Sequence, residues 1–156
     1  MQLEIDVTLL APASATTRAV VIGAGAFGSP DIPSLPGVAD DARRFADSLQ
    51  RAGIAGEQII LLTDQQATAA QIAVALDGLL GRSQPGDRAL IYLGGYWARE
   101  GPGDYFIAYD APHRVFRAGG TIPANMLDEA FNSLRDAQVQ TSLIKHTTAQ
   151  AGSFKD

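Results

Sequence analysis

Three short apolar runs, separated by helical patterns, organise the chain. They are RAVVIG (18–23), QIILL (58–62) and RALIYL (88–93), and each is rich in β-branched or aromatic residues. Continuous apolar runs of this length are typical of strands buried on both faces of a parallel sheet. We expect a fourth strand at TSLI (141–144) and a short extended segment at YFIA (105–108).

Helical periodicity fills the intervals at 38–52, 68–80 and 124–137. Thr68 is predicted to cap the second helix. Alternating strands and helices predict one α/β domain over 1–156, with a mostly parallel sheet and helices on both faces, in three α/β/α layers. The predicted apolar helix faces consist of Val38, Ala42, Phe45, Ala46 and Leu49; Ile72, Ala73, Leu76, Leu79 and Leu80; and Met126, Leu127, Ala130, Phe131 and Leu134.

The first residues have strand periodicity, because Leu3, Ile5, Val7 and Leu9 alternate with polar residues. We expect an accessory strand at about 1–12. Acidic residues interrupt this stretch and no basic region precedes it, so we do not interpret it as a secretory leader. A cytoplasmic protein is the expectation.

Composition excludes several classes of function. The net charge is −5 and the isoelectric point about 4.9, which argues against a nucleic-acid partner, since such proteins carry a basic face. No run approaches the roughly 20 apolar residues of a membrane span. The absence of cysteine removes disulfides and thiolate metal ligands. The two histidines, His113 and His146, are isolated, so we expect no metal site and no cofactor.

The segment GAGAFG (23–28) matches the glycine pattern of dinucleotide-binding loops. In those loops the glycines open a helix whose N-terminus faces the pyrophosphate. Here prolines at positions 30, 33 and 36 prevent a continuous helix. The acidic residue expected about 20 positions later is also misplaced, because Asp64 comes much further along the chain. We predict a flexible loop, and a nucleotide-binding α/β module stays open as an alternative.

Residues 18–154 resemble the caspase-like peptidases, particularly the bacterial metacaspase-type branch. The matching segments include RAVVIGAGAFG with SLPGVADDARRFADSLQRAGI as first strand and helix, and PGDRALIYLGGYWARE as third strand with the catalytic histidine loop. GDYFIAYDAP and SLIKHTTAQAGSF are similar to the following segment and to the fourth strand with its cysteine loop. The resemblance implies a caspase-hemoglobinase-like fold and the site of a cysteine endopeptidase.

The positions that carry the family's chemistry are different here. The resemblance places Tyr96 at the position of the general-base histidine and Ala149 at that of the nucleophilic cysteine. Trp97 stands where the family has a glycine whose backbone N–H serves the oxyanion, and the resemblance implies that the N–H of Trp97 can still do so. An alanine methyl cannot attack, and a tyrosine with a pKa near 10 is a poor base at neutral pH. The implied substrate-binding positions are Thr147, Gly95 and Gln150.

These departures predict a pseudoprotease, that is, a caspase-like domain that acts in binding or regulation. The alternative is an active cysteine endopeptidase whose cysteine has been replaced at Ala149. Thr148 and Ser153 are nearby hydroxyls without an evident base. The family's smaller C-terminal part has no counterpart here, so we expect an open sheet edge that contacts a protein or peptide partner or a second copy.

Overall fold

The computed structural model describes residues 16–112 and 119–146. Its main sheet consists of β1 (Thr17–Gly23), β2 (Ile59–Thr63), β3 (Arg88–Gly94) and β7 (Gln140–His146). These four strands are all parallel and lie in the order β2-β1-β3-β7. All four correspond to the predicted apolar runs, with bounds that differ by one or two residues.

A second, smaller sheet follows β3 and is antiparallel. It consists of β4 (Trp97–Glu100), β5 (Gly103–Ile107) and β6 (Thr121–Pro123), in that order. The predicted extended segment YFIA falls largely within β5. The sequence pattern did not indicate β4 and β6, because strands of three or four residues are too short to show a period.

Three helices cover the main sheet: α1 (Val38–Arg51), α2 (Ala69–Arg82) and α3 (Ala124–Asp136). The predicted cap of α2 is confirmed, since the Thr68 hydroxyl accepts the backbone N–H of Gln71 at 3.2 Å. The Asp110 carboxylate accepts the N–H of Ala69 at 2.9 Å, which satisfies a second donor of the first turn.

The helices divide between the two faces of the sheet, because alternate strand residues point to opposite sides. One face of the sheet packs against α2 and α3 through Val20, Ile22, Ile91 and Leu93. The other face packs against α1 through Ala19, Val21, Leu90 and Tyr92. The chain therefore has the predicted three-layer α/β/α architecture.

Two predicted helix-face positions are not in the core. Ala73 is not among the buried residues of α2, whereas its neighbour Ala75 is. Met126 was placed on the apolar face of α3, but it is 37% exposed. The buried stripe of this helix is narrower than the pattern suggested and consists of Leu127, Ala130 and Leu134. Met126 lies at the border of that stripe, within the first turn of the helix.

Some predictions concern residues outside the described ranges. The accessory strand at 1–12 and His113 are among them. Within the described residues, no helix is both long and apolar enough to cross a bilayer.

Candidate functional site

The carboxyl ends of β1, β3 and β7 meet at one edge of the sheet. Gly23, Gly94 and His146 are register partners across the three strands. The N–H of Ala24 donates to the Gly94 carbonyl at 2.9 Å, and the N–H of Gly95 to the His146 carbonyl at 3.2 Å. This pairing brings the segment after β3 against the end of β7, which is where ligands of open parallel sheets bind.

Of the positions implied by the resemblance, the structure describes Gly95, Tyr96 and Trp97. Gly95 allows a close approach of neighbouring groups, because a Cβ there would lie 3.0 Å from the Ala24 carbonyl oxygen and 3.1 Å from the Phe106 ring. The other implied positions lie outside the described residues, and their roles stay predictions; they are Thr147, Ala149 and Gln150.

The Tyr96 side chain turns into the protein. It is 4% exposed, and its ring packs on that of Phe27 with 5.6 Å between centroids. Its hydroxyl donates to the Pro33 carbonyl oxygen at 3.1 Å. Burial raises the pKa of this phenol above its ordinary value. Tyr96, which the resemblance aligns with a histidine, is therefore a neutral phenol that contacts the loop after β1.

Trp97 is the residue whose side chain faces β7. Its indole packs edge-on against Phe106, with 5.5 Å between ring centroids. The Lys145 ammonium lies 4.3 Å from the centre of the indole ring, a cation–π geometry. The indole Nε1 is buried and has no hydrogen-bond partner. The bulky side chain therefore occupies space beside the end of β7.

A tyrosine–histidine contact near this edge was not predicted. The Tyr92 hydroxyl and His146 Nδ1 are 3.1 Å apart, and the Tyr92 ring stacks on Phe45 at 4.7 Å. Burial and then the negative charge of Asp41 raise the pKa of Tyr92 to about 12. The phenol therefore keeps its proton, and either this hydroxyl or the ring Nδ1 is the donor, depending on the tautomer of His146. Only the strand register, which pairs Gly94 with His146, could have revealed this contact.

The glycine-rich segment after β1 is a loop, as predicted, but hydrogen bonds to Asp64 hold it in place. The Asp64 carboxylate accepts the N–H groups of Gly25 at 3.0 Å and Ala26 at 2.9 Å. A Cβ on Gly25 would lie 2.6 Å from the Leu35 carbonyl oxygen. The glycine at this position therefore permits close packing, and the amides that a phosphate would need already bind a carboxylate.

A cleft of about 240 Å³ opens beside this loop, at the N-terminus of α1. Its charged side chains are Asp40, Arg43 and Asp64. Arg43 pairs with Asp40 at 2.9 Å, so Asp64 leaves the cleft with a net negative charge. This charge disfavours a phosphate ligand. Within the described ranges, no group of three His, Asp or Glu side chains could hold a metal ion.

Comparison with known proteins gives a fold and no activity. No family model matches the chain, and no curated protein matches it. Among solved structures, the chain is similar to protein GSU0716 from Geobacter sulfurreducens, with a TM-score of 0.65 and 18% sequence identity over 85% of this chain. The match covers 50% of that protein, so the chain spans about half its length. At this identity the similarity shows the α/β fold alone.

Proposed function

We propose that the chain is a caspase-like domain without peptidase activity, which binds a protein or peptide partner. The observation that carries the proposal is the arrangement of Tyr96. Its hydroxyl donates to the Pro33 carbonyl at 3.1 Å, and burial raises its pKa. A neutral phenol that already donates its proton cannot act as a general base at neutral pH.

The nucleophile is missing as well. A cysteine peptidase needs a thiolate, and the chain contains no cysteine. If the chain were an active peptidase altered only at Ala149, the tyrosine at position 96 would have no explanation. A binding domain, in contrast, would tolerate the loss of both the histidine and the cysteine. Since nothing in a cysteine-free chain requires an oxidising compartment, a cytoplasmic location is part of the proposal.

The alternative of a nucleotide-binding module has less support. The N–H groups of Gly25 and Ala26 donate to Asp64. A phosphate would have to displace that carboxylate and enter a cleft that also contains Asp40. Both requirements oppose an anionic ligand.

Among the strands that the structure describes, β7 lies at one edge of the main sheet, and this position supports the binding role. Gln140 donates its N–H to the Asp87 carbonyl of the β3 side, and the His146 carbonyl accepts from Gly95 on that same side. Because backbone groups alternate in direction along a strand, those of Thr141, Leu143 and Lys145 point to the open edge. We propose that an extended segment of another polypeptide adds a strand there.

The test of inactivity is a cleavage assay on a pool of unstructured peptides with Arg, Lys or Asp at the cleavage position. The variants are the unaltered chain, Ala149→Cys, and Ala149→Cys combined with Tyr96→His. We expect no cleavage by the first two, because position 96 offers no base. As a control, alkylation of the single thiol in Ala149→Cys shows whether the introduced side chain is accessible.

Cleavage by Ala149→Cys alone would overturn the proposal and identify a cysteine peptidase. Cleavage by the double variant alone would support the caspase resemblance and attribute the lack of activity to the two side chains.

Strand addition at the β7 edge is tested by sedimentation of the unaltered chain over a concentration series. The chain is compared with Thr141→Pro, which blocks strand addition, and with Thr141→Val, which keeps the N–H. We expect concentration-dependent self-association that only Thr141→Pro abolishes. If the chain is a monomer at every concentration, self-association through this edge is ruled out.

A further inference from the structure

The amino end of the main sheet holds a buried guanidinium group. Arg88, the first residue of β3, is 8% exposed. One of its Nη atoms donates to Oε1 of Gln140, while its Nε has no hydrogen-bond partner. No carboxylate of residues 16–112 and 119–146 forms an ion pair with it. A charge removed from water in this way is costly unless an opposite charge joins it.

A second unsatisfied donor lies beside this arginine. Thr17 is the register partner of Arg88 on β1, is 8% exposed, and its hydroxyl has no hydrogen-bond partner. Gln140 is the register partner of Arg88 on β7. Register partners point to the same face, so these three side chains form one row across three strands, on the α1 face. We refer to Thr17, Arg88 and Gln140 as the amino-end row.

The neighbouring acidic group is already engaged on the other face. The Asp87 carboxylate accepts Nη1 of Arg18 at 2.6 Å, the N–H of Thr16 at 3.0 Å and the N–H of Gln84 at 2.8 Å. Glu57 and Arg82 line a pocket together with Arg18. This end of the sheet therefore has three guanidinium groups and two carboxylates. In a chain of net charge −5, it is a local excess of positive charge.

We propose that the amino-end row binds an oxyanion, either a carboxylate or a phosphate group. The Nε of Arg88 and the hydroxyl of Thr17 are the two donors that such a group would satisfy. Gln140 is exposed on the edge strand, so the row is approached from the β7 edge. The anion has two possible sources: a free ion, or an acidic side chain of the preceding segment, which contains Glu4 and Asp6.

The experiment is thermal unfolding of the full chain while inorganic phosphate replaces chloride at constant ionic strength. We expect Tm to rise by about 5–10 °C at a hundredfold excess over Kd, and no rise in Arg88→Met. Thr17→Val removes only the hydroxyl and should weaken the phosphate response about tenfold. The control Arg51→Met removes an exposed arginine of α1 and should keep the full response.

The second arm tests the chain's own acids. If phosphate has no effect on the unaltered chain, Glu4→Gln or Asp6→Asn should lower Tm in that chain but not in the Arg88→Met background. Either result supports the proposal and identifies the source. The proposal is overturned if Arg88→Met changes neither the phosphate response nor the effect of the acid substitutions. An equal rise in Tm with phosphate in Arg88→Met and in the unaltered chain is one such result.

Discussion

Replacing Asp64 by alanine should release the loop that follows β1. One carboxylate oxygen of Asp64 accepts two backbone N–H groups, from Gly25 at 3.0 Å and from Ala26 at 2.9 Å. Asp64 also has a φ of 48°, a left-handed conformation that aspartate and asparagine adopt more readily than alanine. The substitution therefore removes two acceptor contacts and adds backbone strain.

The magnitude follows from these contacts. A hydrogen bond to a charged group contributes about 1.5–3 kcal/mol, and the open cleft beside Asp64 favours the lower end of that range. The two bonds together then contribute about 3 kcal/mol, and the left-handed conformation adds about 1 kcal/mol for alanine. Asp64→Asn keeps an acceptor oxygen and the local conformation, so we expect a loss of about 1 kcal/mol.

Urea unfolding measures both variants, with a lower midpoint and an unchanged slope as the expected result. The corresponding fall in Tm for Asp64→Ala is about 10 °C. Asp31→Ala is the control, because Asp31 is an exposed acid of the same loop and its loss should change stability by less than about 0.5 kcal/mol. The reasoning is refuted if Asp64→Ala is as stable as the control, or if alanine and asparagine have the same effect.

Three further predictions concern other polar contacts. Burial alone would raise the pKa of Asp87, but two backbone N–H groups and the Arg18 guanidinium hold it below its ordinary value. The contribution of Asp87 to stability is therefore complete above about pH 5 and is lost as the pH falls below about 4. Asp87→Asn should flatten the dependence of Tm on pH in that range. The pKa of Tyr92 is about 12, so Tyr92 contributes little phenolate below about pH 11. As the pH is raised to about 11, the phenolate absorbance of Tyr92→Phe should therefore rise as much as that of the unaltered chain. A smaller rise in the variant would contradict this. Thr68→Ala should cost about 1 kcal/mol in urea unfolding and Thr68→Ser less, whereas equal losses would show that the hydroxyl does not cap α2.

The sequence by itself determined the strands of the main sheet, the three helices and the layer architecture. The strand at 88–93 and the helix at 38–52 were predicted from apolar spacing and are observed as Arg88–Gly94 and Val38–Arg51. Spacing suffices because a strand or helix places its apolar residues by a fixed local period. Prolines between 30 and 36 likewise indicated a loop after the glycines, since their effect on the backbone is also local.

The direction and partners of the site side chains were decided only by the tertiary structure. The resemblance aligns Tyr96 with a catalytic histidine, and only the structure shows that its hydroxyl donates to the carbonyl of Pro33, 63 residues away along the chain. The contact between Tyr92 and His146 spans 54 residues, and the burial of Arg88 depends on which strands lie on either side of β3. Such contacts follow from strand order and register, which place distant segments side by side, and no local period in the sequence encodes that choice.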